Sequence, residues 1–422
     1  MVLVESDHST PLVRFKIQSP MGAVFDPKGF EGLTHHALAL ARSGTKKKSR
    51  EDLDMAIDSL GASLDFRCAY HWVSLEGSVL SQHLDPLFSL AIDILGDALF
   101  LESDLSRLLR ETHTALSEIQ DDGEHLLTLN YRNHAKVFQP YHRPIIGTPS
   151  SLKHITLKKT TDWFKGLFPA NETIFGISGD ITKERANALF EKLPKASPST
   201  KAHFKAPLFE ESVESDKTFY YQNKPSNEQC NMELAFNAPR CQDDLYPALL
   251  LANSVLGELE SSRLNQSIRA KEGWVYSVYS SIERHPDKNL LTITCNPALK
   301  FTQSTIETIL NTLSALANEG LATEEFDLAK SNIIGSLDFV GETCHRRMFI
   351  ECRNSLFGLS STYYADLKTR LLTTSIEDVN EFLKTFFGTQ HTTVGLVGPW
   401  DGLATIKESL PFTFKEMTYE AP

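Results

Sequence analysis

Apolar positions in the first half of the chain fall in the order strand, helix, helix, strand pair, helix, helix, strand. Val13, Phe15 and Ile17 occupy every second position before Pro20-Met21-Gly22, which predicts a strand ending in a turn. Residues 31–42 predict a helix that stops at Gly44, with Arg42 in its last turn. A second helix is expected from about Ser49, with Asp52 three residues on, Leu53, Ile57 and Leu60 along one face, and Gly61 at its end. Alternation returns between Ser63 and Leu80 through Leu64, Phe66, Val73, Leu75 and Val79, and helices over 83–99 and 103–121 follow.

The second half repeats this plan. Met232–Phe236 reads as a strand, 243–257 and 261–271 as helices, Val275–Ile282 and Leu290–Cys295 as a strand pair, and 302–319 and 323–337 as helices. Each half closes on a similar phrase, Thr173-Ile174-Phe175-Gly176-Ile177-Ser178-Gly179-Asp180 and Thr393-Val394-Gly395-Leu396-Val397-Gly398-Pro399. Both predict a buried strand ending in a glycine turn, followed by a short helix at 183–193 or 402–409. The repeat implies an α+β fold of two similar domains, each a mostly antiparallel sheet covered by helices. The expected division is 1–200 and 217–422, with a linker over 201–216 following a stretch rich in proline and serine.

Composition narrows the function without choosing it. A chain of 422 residues exceeds one ordinary core, and 41% hydrophobic with 23% charged residues is a globular balance. No run of 18 apolar residues suggests a membrane span, and the first seven residues carry no signal-peptide pattern. A cytoplasmic location is therefore expected, with a periplasmic one compatible with a trimmed leader. The net charge of −12 speaks against nucleic acid, and Lys46-Lys47-Lys48 with Arg50 reads as a solvated loop. The six cysteines form no Cys-x-x-Cys pair, which argues against a structural metal cluster or a disulfide framework. Nucleophile-elbow, phosphate-loop and dinucleotide fingerprints are missing, and His71, His83, His125, His134, His285, His345 and His391 stand isolated in sequence.

One segment carries a distinctive pattern: Gly32-Leu33-Thr34-His35-His36-Ala37-Leu38-Ala39, closing on Gly44-Thr45. On a helix His35, Leu38 and Ala39 are expected on one face, whereas His36 lies about 100° away. The segment resembles the zinc helix of the pitrilysin-type (inverzincin) metallopeptidases, which have His-x-x-Glu-His there. In that family the two histidines bind zinc and the glutamate is the general base. Against that pattern His35 is kept, but Leu38 stands at the base position and Ala39 at the second ligand. Arg110-Glu111-Thr112-His113-Thr114-Ala115-Leu116-Ser117-Glu118 resembles the helix of the third ligand, with Glu111 and Glu118 at the family's seven-residue spacing. Phe138-Gln139-Pro140-Tyr141-His142-Arg143-Pro144 and Gly147-Thr148 extend the resemblance, which covers most of 13–190 and about 230–400 in order.

The second half keeps what the first has lost. Ser262-Arg263-Leu264 and Arg269-Ala270-Lys271-Glu272-Gly273-Trp274-Val275-Tyr276 resemble the family's motif in which an Arg and a Tyr seven residues apart hold the substrate backbone; the matching pair here is Arg269 and Tyr276. Glu258-Leu259-Glu260-Ser261-Ser262 is unlike the glycine-rich loop of processing-peptidase α-subunits. The resemblance implies a chain with no zinc of its own, catalytically silent alone. It would hold peptide substrate in a heterodimer whose homologous partner brings zinc and an intact His-x-x-Glu-His. A non-enzymatic scaffold or a peptide-binding homodimer remain alternatives.

Overall fold

The computed structural model describes residues 1–193, 217–389, 392–399 and 403–419, so the expected linker over 201–216 lies outside the described residues. The first half contains β1 (Val2–Ser6), β2 (Leu12–Ser19), α1 (Leu33–Ala41), α2 (Arg50–Ser59), β3 (Ser63–Cys68), β4 (Val73–Leu80), α3 (Leu84–Asp97), α4 (Glu102–Ile119), α5 (Gly123–His134), α6 (Pro149–Leu152), α7 (Leu157–Phe164), β5 (Ile174–Gly179) and α8 (Lys183–Phe190). Its strands form one sheet in the order β1-β5-β2-β4-β3, antiparallel except for β1 beside β5.

The second half contains β6 (Thr218–Asn223), β7 (Asn231–Ala238), α9 (Tyr246–Asn253), β8 (Val275–Arg284), β9 (Asn289–Pro297), α10 (Thr302–Glu319), α11 (Thr323–Asp338), α12 (Cys344–Phe357), α13 (Tyr363–Thr373), α14 (Ile376–Thr389), β10 (Thr393–Gly398), α15 (Leu403–Ser409) and β11 (Thr413–Glu416). Its sheet runs β11-β6-β10-β7-β9-β8, which leaves β8 on an edge. The architecture is mixed α+β with two sheets, as the alternating pattern implies. The helices expected over 243–257 and 261–271 are different in kind: α9 passes into a π-helical turn at Ser254–Glu258, and Asn265–Ala270 is π-helical as well.

Each sheet buries one face against helices of its own half. Val13, Phe15, Ile17, Leu75, Val79, Phe175 and Ile177 meet α2, α3 and α8 in one core, while Met232, Leu234, Phe236, Leu291 and Ile293 meet α9, α10 and α14 in another. The opposite faces are covered by helices exchanged between the halves. Helix α12 lies on β1 and β5, and Gln18 donates from its Nε2 to the carbonyl of Cys352 at 3.0 Å. Helix α5 lies on β10 and β7, burying Leu126, Leu127 and Tyr131 against Tyr220, Ala235 and Val397. Room for these helices is made at the equivalent glycine of each closing strand. A Cβ on Gly176 would stand 2.6 Å from Met348 Sδ and Cys352 Sγ, and one on Gly395 would stand 2.4 Å from Tyr131 Cγ. Both are closer than real Cβ contacts come, so a side chain at either position would force the neighbouring helix residues to shift.

Candidate functional site

Helix α1 is fixed at its start by a buried carboxylate. Asp26 accepts from the backbone N–H of Gly32 (2.9 Å) and Thr34 (3.0 Å) and from Thr34 Oγ1 (2.5 Å), while Trp163 Nε1 donates to the same hydroxyl at 2.9 Å. Two backbone N–H groups at the helix start, together with a side-chain hydroxyl, thus meet the Asp26 carboxyl at the positive end of the macrodipole. Burial pushes the Asp26 carboxyl up to about 7, against the hydrogen bonds from Thr34 and Gly32 that favour its charged form. Gly32, at φ 94°, allows the chain to pass under Ile146 and Gly147.

His35, Leu38 and Ala39 differ in exposure along α1. His35 and Ala39 lie along the partly open stripe of α1, but Leu38 is 2% exposed and turned into an apolar cluster with Met21, Val73, Phe164 and Leu167. The burial of Leu38 has a packing cause: α1 is wedged between that cluster and a second one holding Leu33, Leu40, Leu105, Leu116 and Leu152. His36 is the buried histidine. One ring nitrogen meets Gly32 O at 2.8 Å, the other Thr112 Oγ1 of α4 at 3.1 Å, and burial moves its pKa down to about 4. His36 therefore joins α1 to α4 as a neutral packing residue, a role hidden from helical spacing because its partner is 76 residues away. Glu111 and Glu118 of α4 are both exposed, and Glu111 pairs with Arg107 at 2.8 Å.

On the other half, Arg269 lies near the end of the π-helical turn, Gly273 reverses the chain at φ 66°, and Tyr276 enters β8 at a register shift between Val275 and Val278. Tyr276 is 89% exposed, so it does not pack as a half-buried strand aromatic. A large aromatic left in water on a bulged edge strand contributes nothing to the core, and bulges and π-turns recur beside binding sites. Arg269 reaches Glu260 Oε2 through Nη1 at 2.9 Å. Trp274 instead packs on the core and stacks on Phe301 at 5.8 Å.

Two family descriptions account for most of the chain: "Insulinase (Peptidase family M16)" over residues 1–149 and "Peptidase M16 inactive domain" over 154–333. The chain belongs to the M16 peptidase family. It is 24% identical over 407 residues to "Uncharacterized zinc protease YmxG" of Bacillus subtilis, covering 94% of this chain and 96% of that one. It is 22% identical over 390 residues to "Non-peptidase homolog YmxG" of Helicobacter pylori, covering 91% and 88%. The crystal structure titled peptidase M16 inactive domain from Pseudomonas fluorescens superposes with a TM-score of 0.83 at 18% identity, over 94% of this chain and 95% of that one.

The zinc ion that the M16 family implies does not fit the residues of this chain. A catalytic zinc needs three protein ligands and a base beside its water. On α1 only His35 can donate to a metal from the open stripe; Ala39 has no donor and Leu38 is sealed in apolar packing. Among the described residues no group of three or more His, Cys, Asp or Glu gathers that could hold a metal ion. Among them, too, no helix is long and apolar enough to cross a membrane.

Sequence spacing also missed a cluster that joins the halves of this M16 chain. His71, on the β3–β4 turn, lies 2.9 Å from Tyr141 Oη, and Tyr141 stacks on His285 at 3.6 Å. Arg132 of α5 pairs with Glu283 of β8, with buried Glu233 4.0 Å away. His71 and His285, isolated in sequence, are 6.4 Å apart between ring centroids. Burial lowers the pKa of His71 to about 4.

Proposed function

We propose that this chain is the substrate-holding, non-catalytic subunit of a two-chain M16 peptidase. Its homologous partner supplies zinc and an intact His-x-x-Glu-His, and the substrate is a peptide. One observation carries the reading: Tyr276 stands 89% exposed on an edge strand, seven residues after the exposed Arg269, while the helix where water would be activated presents His35 and Ala39 only. The phenol and the guanidinium fork can donate to the carbonyls of an extended peptide, and the edge of β8 offers backbone groups alongside them. Leu38 has no proton to move, so bond cleavage is assigned to the partner.

The test pairs the purified chain with a homologous M16 chain from the same cell that keeps the full zinc motif. Cleavage of a fluorogenic peptide should require both chains and be abolished by EDTA. Arg269→Ala and Tyr276→Phe should each lower kcat/KM of the pair, Arg269→Ala by roughly 10-fold or more, as expected for a lost charge-assisted hydrogen bond. Unchanged turnover in both variants would favour a scaffold instead. EDTA-sensitive cleavage by this chain alone would also overturn the proposal.

A further inference from the structure

The open face of β8 carries a second tyrosine. Val275 pairs with Pro297 and Val278 with Cys295, so Tyr276 and Ser277 together oppose Asn296 in a bulge. The bulge puts Val275 and Val278 on one face, where both belong to the core shared with α9 and α10. By alternation their neighbours Tyr276 and Tyr279 emerge on the other face, 89% and 44% exposed. Further along, that face belongs to α5. Glu283, four residues beyond Tyr279 on the same face, is held by Arg132. The paired row Tyr279–Thr294–Glu233 runs inward to a buried carboxylate 4.0 Å from the same guanidinium. Helix α5 thus covers the inner end of the row and leaves its outer end, Tyr279 and half-buried Thr294, uncovered beside Tyr276.

We infer that Tyr279 is a specificity-determining residue of the peptide site, forming with Tyr276 a slot that takes a flat aromatic side chain of the substrate. The inference rests on the reading that Arg269 and Tyr276 bind peptide. Neighbouring positions on one face of a strand stand about 7 Å apart. That spacing is about twice the contact distance between carbon atoms, so two rings projecting side by side leave room for one ring between them. The floor of the slot is uncharged, built from Thr294 and Asn296. An aromatic ring gains face or edge contact with both phenols, whereas a small polar side chain such as serine reaches neither. Arg269 and the Tyr276 hydroxyl can hold backbone carbonyls whatever the sequence, so the slot is where this site tells one peptide from another.

The experiment uses the full chain and two fluorescein-labelled extended octapeptides that differ only at one central residue, Phe or Ser. Fluorescence anisotropy should show the wild-type chain binding the Phe form about threefold or more tightly than the Ser form. Tyr279→Ala should bring the two within about twofold by weakening only the Phe form, with an unchanged circular dichroism spectrum. Tyr279→Phe should keep the preference, since it retains the ring. Arg269→Ala should weaken both forms alike. If Arg269→Ala weakens both but the wild-type chain binds them equally, or Tyr279→Ala leaves the preference in place, the slot is refuted and the binding role stands. If Arg269→Ala changes nothing, or the wild-type chain binds neither form, the binding role itself falls and the inference with it.

Discussion

Substituting Gly395 by alanine tests whether the exchanged helix α5 is as tightly seated as the geometry requires. The new methyl carbon would stand 2.4 Å from Tyr131 Cγ, 2.6 Å from Cδ1 and 2.7 Å from Cδ2, about 1 Å inside normal contact. Tyr131 cannot step aside, because it is fully buried, packs edge-on to Phe138 at 4.8 Å and lies beside Tyr220 at 5.9 Å. Alanine in a strand is otherwise slightly better than glycine, by a few tenths of a kcal/mol, so any loss reports the clash. Overpacking of this kind costs about 1–3 kcal/mol, and the rigid ring puts Gly395→Ala near the upper end. Gly176→Ala is the matched comparison. Its methyl would meet the sulfurs of Met348 and Cys352 at 2.6 Å, and a thioether on rotatable bonds can yield, so about 1 kcal/mol is expected. Urea unfolding followed by circular dichroism, comparing midpoint and slope for both variants, measures the difference. A Gly395→Ala protein within about 0.5 kcal/mol of wild type would refute the argument that α5 is locked onto β10 by this contact.

Two further outcomes follow from the buried groups. His71 has a folded-state pKa near 4 against an ordinary 6.5, lowered mainly by burial, so the folded chain binds fewer protons and loses stability as pH falls from about 6.5 to 4. His71→Gln should flatten that part of the stability curve, measured by thermal unfolding at several pH values; an unaltered slope would refute a buried neutral His71. Restoring the zinc motif by Leu38→Glu with Ala39→His should fail to confer stoichiometric zinc or cleavage, as checked by metal analysis and peptide assay. It should also cost about 2–5 kcal/mol, since the carboxyl replaces a leucine packed on Met21, Val73 and Phe164. Tight zinc in that double variant would show that the cluster around Leu38 opens to a polar side chain, against the packing described above.

The sequence pattern reached the fold where local spacing is the cause. The Ser49 cap forms as expected, its Oγ accepting from the Asp52 N–H at 3.1 Å, and the hairpin of β3 and β4 appears where the alternation lies. Elements stabilised from far away left no such mark. β1 adds in parallel to β5 through residues more than 170 positions apart, and α5 and α12, which cover the other half's sheet, have no place in the pattern read from local spacing. The repeated closing phrase did carry a clue to this exchange. Its shared glycine, Gly176 in one half and Gly395 in the other, is where the foreign helix comes closest.

The candidate site was legible in identity more than in orientation. Matching residues named His35, Leu38 and Ala39, but only packing reveals that Leu38 belongs to the core, since a helix rotates until its widest apolar stripe is buried. That packing changes what Leu38 at the base position means. Here the base position has been absorbed into the apolar cluster that seats α1 against Val73 and Phe164, and His36 holds the opposite flank on Thr112. The helix now serves as a structural member, and regaining a zinc site would require repacking both clusters at once. Tyr276, by contrast, contributes no buried contact that the fold depends on. On the proposed reading, a fold that seats Leu38 in its core and leaves Tyr276 in water has no means of activating water but keeps a surface for peptide, and the exposure of the tyrosine serves what it meets.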